Sequence, residues 1–260
     1  MARQKLGQHF LGDPAWRQKI FETLEIREGD TWLEIGAGHG EMTALLAEAG
    51  ARVVAIETDP KLAAGLGEKA KVWRNVEIVE GDVLAVDLCA VTAGAGFRVY
   101  GNLPYYITSP ILRRLFDAAD RISSIHIVIQ LEVAARIAAR PGRREYGYLS
   151  TLCQFYARPK IVLRIPPGAF RPPPKVTSAL VHLTLPGERA TLRVKDEERF
   201  LAFLQLCFSQ KRKTLRNNLR RKFPVERIAA AFAAAELDPV ARAEQLTLAQ
   251  FAALQKALDY

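Results

Sequence analysis

The chain has 260 residues, of which 49% are hydrophobic and 25% charged, which suits a folded globular protein with one large core and a smaller domain. No apolar run approaches the roughly 20 residues of a membrane span, and the polar, basic start MARQKLGQHF lacks the apolar heart of a secretory signal. The net charge of +9 points towards a polyanionic partner, while three widely spaced cysteines (Cys89, Cys153 and Cys207) match no zinc or disulfide pattern and predict buried free thiols in a reducing cytoplasm.

A basic arm containing GQHFL comes first, and Phe10 and Leu11 within it look built to dock. Asp13-Pro14 reads as an N-cap followed by the first residue of a helix with Ile20, Phe21 and Leu24 on its apolar side. Trp32 to Ile35 is a short buried strand that runs into Gly36, Gly38 and Gly40, and a helix resumes over 41–49. Strand, glycine turn and helix N-terminus make a nucleotide cradle, because glycines let backbone N–H groups approach a ligand closely. The spacing is GxGxG with an acid, Glu34, just upstream, a pattern closer to S-adenosylmethionine sites than to dinucleotide sites.

Arg52 to Ile56 is a second strand ending in Glu57, where a carboxylate grips a ribose diol by paired hydrogen bonds. A third strand, 76–79, leads to Asp82, a candidate acceptor for an adenine amino group. The fourth, through Phe97 and Val99, enters the turn YGNLPYYITSP. Strands at 125–129, 160–165 and 177–185 follow, with helices between the earlier ones and a proline-stiffened loop, IPPGAFRPPPKV, between the last two. This alternation predicts a Rossmann-like α/β fold with a seven-stranded, mostly parallel sheet and one antiparallel edge strand. Pro186-Gly187 marks a boundary, so that residues 1–186 form the sheet domain and 187–260 a small all-α domain.

The turn at Asn102 carries the acceptor chemistry. A 6-amino group of adenine is planar and poorly nucleophilic because its lone pair is delocalised into the ring. The Asn102 side-chain carbonyl and the Leu103 backbone carbonyl can take both amine hydrogens, with Pro104 stiffening the turn. Tyr105 can stack on the base and Phe170 is the candidate for its other face, whereas Tyr106 reads as core. No metal and no general base is demanded, though the base must be unpaired or extruded.

In the tail, residues 209–222 hold seven basic residues and no acidic one. Read as the continuation of the helix through Phe200, Leu204 and Phe208, they place Arg212, Arg216 and Arg220 one above the other. Lys211, Arg212, Lys213, Arg216, Arg220 and Arg221 are the expected RNA-phosphate contacts.

GQHFL, EIGAGHGEMT, GNLPYYITSP, QLEVAARI, AFRPPPKVTSALV and FSQKRKTLRNNL, with Glu57 and Asp82 at strand ends, resemble the KsgA family over nearly the whole chain. The resemblance implies an enzyme that converts two adjacent adenosines near the 3′ end of 16S rRNA, within the immature small ribosomal subunit, to 6,6-dimethyladenosine. It implies S-adenosylmethionine as the methyl donor, contacted by His9, Leu11, Gly36, Glu57, Asp82 and Asn102, with Gly38 of the glycine turn beside them; no self-complementary apolar surface is legible, so a monomer is the default. Many members carry Asn where this chain has His9. The related Erm-type enzymes, which methylate large-subunit rRNA, share the glycine and NLPY-like turns, but PPPKVTSALV and QKRKTLRNNL favour KsgA. Two further readings are a non-enzymatic assembly factor, separable by Asn102→Ala, and an NAD enzyme, disfavoured by the GxGxG spacing.

Overall fold

The computed structural model describes residues 9–94 and 96–260. The strands are β1 (Phe10–Leu11), β2 (Thr31–Ile35), β3 (Arg52–Glu57), β4 (Val76–Glu80), β5 (Phe97–Asn102), β6 (Ile122–Gln130), β7 (Arg158–Ile165), β8 (Phe170–Arg171) and β9 (Ser178–Thr184). Seven of them form one sheet in the order β4-β3-β2-β5-β6-β9-β7, while β1 and β8 make a separate two-stranded ribbon. All seven sheet strands are legible in the sequence. The central ones are nearly continuous apolar runs, as a parallel sheet covered on both faces requires, and Trp32, Leu33, Val53, Val54, Val99, Ile125 and Ile127 are fully buried.

β2 is parallel to β3 and β5, and β5 to β6, whereas β9 runs antiparallel to β6 with His126 opposite His182. The antiparallel strand is therefore not on the edge as expected, but is inserted between β6 and β7. β7, at the edge, carries Pro159, a residue that cannot donate to a ladder and is tolerated there.

Strand order reverses at β2, whose neighbours are β3 and β5. Parallel registers align Ile35 with Ile56 on one side and with Gly101 on the other, so Gly36, Glu57 and Asn102 leave the sheet side by side. A crevice at the carboxyl ends of strands, where the winding direction changes, is the standard ligand position in such sheets.

The Asp13 side chain accepts the N–H groups of Ala15 and Trp16, with Pro14 in the first turn. Ahead of that helix, the β1–β8 ribbon pairs Phe10 with Arg171 and Leu11 with Phe170, which ties the arm to the proline-rich loop. Phe170 is fully buried, with a relative accessibility of 0%, in the core cluster that also holds Leu11, Trp32, Tyr100 and Leu180. The expectation that it stacks on a base is thereby corrected.

The chain divides into two compact units. One comprises the described residues up to Ala134 with Pro159–Leu185, and the other Ala135–Arg158 with Pro186–Tyr260. This division differs from a single cut at residue 186 in grouping 135–158 with the helices that follow. Gly187 shows why: a Cβ there would lie 2.4 Å from the Ala157 nitrogen, and Gly187 and Glu188 donate to the carbonyls of Tyr156 and Gln154. The second unit is built from helices Tyr148–Tyr156, Glu197–Cys207, Leu215–Leu219, Val225–Ala234 and Leu248–Ala257, and buries Phe155, Phe200, Phe203 and Phe251.

The long basic helix is not continuous. The helix of Phe200 and Leu204 ends at Cys207, and the next begins after Thr214, whose hydroxyl accepts the Asn217 N–H. Buried Asn218 donates to the carbonyl of Cys207 (2.6 Å), a group that helix termination leaves without a partner, and to that of Gln210 (3.3 Å), which also accepts the Lys213 N–H. Arg212 falls in the turn, so the expected stack of Arg212, Arg216 and Arg220 on one helix face does not form. Two other readings are also corrected: Cys89 is exposed, although Cys153 and Cys207 are buried, and Tyr106 is 59% exposed and not in the core.

Candidate active site

The crevice at the strand ends is lined by His9, Phe10, Gly36, Glu57, Thr58, Asn102, Leu103, Pro104 and Tyr105. An adjoining hollow shares Phe10, Gly36 and Asn102 and adds Leu11, Arg17, Glu34, Glu41 and Tyr100.

Glycine is required at position 38. The backbone has φ +59, and a Cβ would stand 3.0 Å from the Phe10 ring. The N–H of Gly38 donates to Glu57 Oε2 at 2.8 Å, and Asp59 N–H donates to Oε1 at 2.9 Å. Glu57, only 2% exposed, is thus held rigid with each oxygen keeping a lone pair for a further donor.

Glu34, near the end of β2, fastens that strand to the helix Glu41–Glu48 that follows the glycine turn. It is buried and accepts the Thr43 hydroxyl at 2.6 Å. Burial pushes its carboxyl up to about 8; the Thr43 bond opposes this, and the charges of Glu41 and Glu57 add to it. It therefore keeps its proton at neutral pH.

Asn102 Nδ2 donates to the His9 carbonyl at 2.8 Å. That bond assigns the amide orientation and leaves Oδ1 as the acceptor, while Leu103 N–H donates to the Val128 carbonyl at 3.0 Å and anchors the turn to β6. The His9 ring bonds the Pro172 carbonyl through Nδ1 at 2.7 Å and lies 5.7 Å from the Tyr105 ring. The Tyr105 hydroxyl shares a 2.7 Å hydrogen bond with the hydroxyl of Ser178, a fully buried residue. Burial raises the Tyr105 pKa, against the pull of Ser178.

The structure therefore gathers His9, Gly36, Glu57, Asn102, Leu103, Pro104 and Tyr105 at one crevice, with Leu11 in the adjoining hollow. Asp82 is not part of the lining; its Oδ1 accepts the Leu84 N–H at 2.9 Å and shapes the turn after β4. Ser178, Pro172, Thr58 and Arg17 were not singled out by sequence. Ser178 had no signal to offer, since its partner lies 73 residues away.

A family model for ribosomal RNA adenine dimethylase matches residues 1–259. The chain belongs to the ribosomal RNA adenine dimethylase family. The dimethylase is 42% identical to "Ribosomal RNA small subunit methyltransferase A" of Xanthomonas campestris over 96% of its own length and 94% of that protein. To the protein of the same name from Acidobacterium capsulatum it is 44% identical, covering 99% and 91%. Among solved structures it is similar to a dimethyladenosine transferase of Plasmodium falciparum, with TM-score 0.83, 25% identity and coverage of 96% and 98%. The 23S rRNA methyltransferase ErmE is also similar, with TM-score 0.72, 30% identity and coverage of 96% and 100%. The Rossmann-like methyltransferase fold expected from the sequence is thus the fold of the family.

The glycine turn fits the methyl donor of this family, S-adenosylmethionine. A Cβ at Gly38 would press on the ring of Phe10, which lines the crevice, and the doubly braced Glu57 carboxylate suits a diol. No helix among the described residues is long and apolar enough to cross a membrane.

Proposed function

We propose that the dimethylase transfers methyl groups to the 6-amino nitrogens of two adjacent adenosines near the 3′ end of small-subunit rRNA. It acts as a cytoplasmic monomer on the immature small subunit. The observation that carries this reading is the fixed Asn102 amide, whose Nδ2 is spent on the His9 carbonyl so that Oδ1 is presented to the crevice. The small subunit is favoured over the large one by the 42–44% identity to the small-subunit enzymes against 30% to ErmE.

Bound in the crevice, S-adenosylmethionine supplies an electrophilic methyl whose departure leaves a neutral thioether. The chain's own residues address the acceptor. Glu57 accepts ribose hydroxyls, while Gly36 and Gly38 admit the nucleoside close to the backbone. Asn102 Oδ1 and the Leu103 carbonyl accept the two amine hydrogens. This favours a pyramidal nitrogen with its lone pair directed at the methyl, and the hydrogen bonds strengthen as positive charge develops there. Tyr105, its hydroxyl held by Ser178, offers a stacking face worth about 1–3 kcal/mol. No side chain needs to act as a strong base, since the proton lost after methylation comes from a cationic amine acidic enough to pass to water.

The test uses methyl-labelled S-adenosylmethionine with unmethylated small subunits, large-subunit RNA and duplex DNA, followed by nucleoside mass spectrometry. Dimethyladenosine from small subunits alone is the expected result. Label in large-subunit RNA would overturn the substrate, and donor binding without any label would favour an assembly factor.

A further inference from the structure

The break at residues 208–214 has a partner elsewhere in the helical unit. Lys211 Nζ donates to the Arg144 carbonyl at 2.5 Å, which brings the loop after residue 139 against the basic turn. Two more contacts hold that loop. Buried Tyr146 sets its ring edge-on to Phe208 at 6.1 Å, and Gly142, at φ +83, donates its N–H to the Glu244 carbonyl at 2.7 Å. Arg143, Arg144, Lys211, Arg212 and Lys213 are all exposed, and among the described residues none of the five forms an ion pair.

Drawing five like charges together raises their mutual repulsion, and the one acid within either segment, exposed Glu145 beside Arg144, forms no ion pair with any of them. The Tyr146 and Gly142 contacts fix the loop at this position regardless. A single helix face would present its cations along one straight line, whereas two latched irregular segments present them as a two-sided cradle. That shape suits the bent, closely spaced phosphates of folded RNA better than an acidic peptide, whose carboxylates are sparser.

We propose that the Arg143–Arg144 loop and the Lys211–Lys213 turn form one bipartite phosphate-binding cradle for the RNA substrate, latched by the Lys211–Arg144 hydrogen bond. The proposal rests on the functional reading above and adds the loop, which lies 67 residues from its partner in sequence.

The experiment measures affinity of the full chain for unmethylated small subunits across a salt series, for wild type, Arg143→Gln/Arg144→Gln and Arg143→Lys/Arg144→Lys. Unchanged donor affinity and thermal midpoint certify each variant's fold. The Gln pair should weaken binding about 10-fold or more and make the log–log salt slope shallower by about 1.5, as loss of two phosphate contacts implies. The Lys pair should keep most of the slope. Wild-type affinity and slope in the Gln pair would overturn the proposal, as would an equal loss in both pairs, which would assign the effect to loop shape. Binding is read without methylation, so a wild-type enzyme that binds the particle but leaves its adenosines unlabelled would fail the functional reading and not this one.

Discussion

The Asn102 side chain donates to the His9 main-chain carbonyl at 2.8 Å, joining the end of β5 to an arm 93 residues away in sequence. The contact uses the backbone of His9 and not its imidazole, so any residue that keeps the arm docked can orient the amide.

Asn102→Ala removes the acceptor and should lower kcat about 10²–10³-fold, the typical loss of one oriented transition-state partner. Asn102→Asp should fare no better, because a carboxylate cannot donate to the His9 carbonyl. His9→Asn should stay within about 5-fold of wild type, the scale of the one Nδ1–Pro172 hydrogen bond it alters. Single-turnover methylation with donor affinity measured in parallel checks all three; full activity in Asn102→Ala would remove the amide from the mechanism.

Tyr105 and Ser178 form the second pair. Ser178 is fully buried at the start of β9 and does not itself line the crevice, so its effect on the reaction runs through the hydroxyl of Tyr105, which does. Ser178→Ala should raise KM for RNA about 5-fold with the donor KM unchanged. Tyr105→Phe, which keeps the stacking face, should do the same, and the double variant should be no worse than either alone. Additive losses would show the two hydroxyls acting separately.

Much of this site is legible in the sequence because strand ends carry it. Buried parallel strands read as apolar runs, and the residue that follows each run is set by register: Gly36, Glu57 and Asn102 needed no tertiary knowledge to be grouped. Phe170 misled because β8 is two residues long, too short for any alternation to reveal which way its side chains face. The basic stretch misled for the opposite reason. Lys, Arg and Leu favour helices strongly enough to hide a break whose only local signals are Ser209, Thr214 and Asn218, and whose cause is a buried Asn218 bonding backward across the chain.

Gly38 and Gly65 separate crevice shape from general glycine effects. Gly38→Ala forces a left-handed residue and a 3.0 Å contact with Phe10, at a cost of about 1–2 kcal/mol for the backbone alone. Thermal stability and donor affinity should both fall, the latter about 5–30-fold. Gly65 lies in the helix Pro60–Ala70 with open space around it, so Gly65→Ala should stabilise by up to about 1 kcal/mol and leave donor affinity alone. Calorimetric unfolding and donor titration distinguish the two, and an unimpaired Gly38→Ala would disconnect the turn from donor binding.

Acid stability should report His126. Its ring stacks on His182 with centroids 4.1 Å apart, beneath Trp32, and neither of its nitrogens has a hydrogen-bond partner among the described residues. Burial lowers its pKa to about 3, with help from the charges of His182 and Arg98. A base whose folded pKa is depressed has no effect on stability above the unfolded value of about 6.5. Below it the unfolded chain takes up a proton that the native state refuses, so stability falls by about 1.4 kcal/mol per pH unit, down to about pH 3. Glu34 acts with the opposite slope: its carboxyl, raised from 4.5 to about 8, favours the native state at low pH and loses that contribution as pH rises between those values. The two therefore oppose each other between about pH 4.5 and 6.5, and only His126 acts below that window among this pair. His126→Phe keeps an aromatic ring in the site and should flatten the decline in denaturant stability between pH 4.5 and 3.5. A decline as steep as that of wild type would assign the acid sensitivity to other groups.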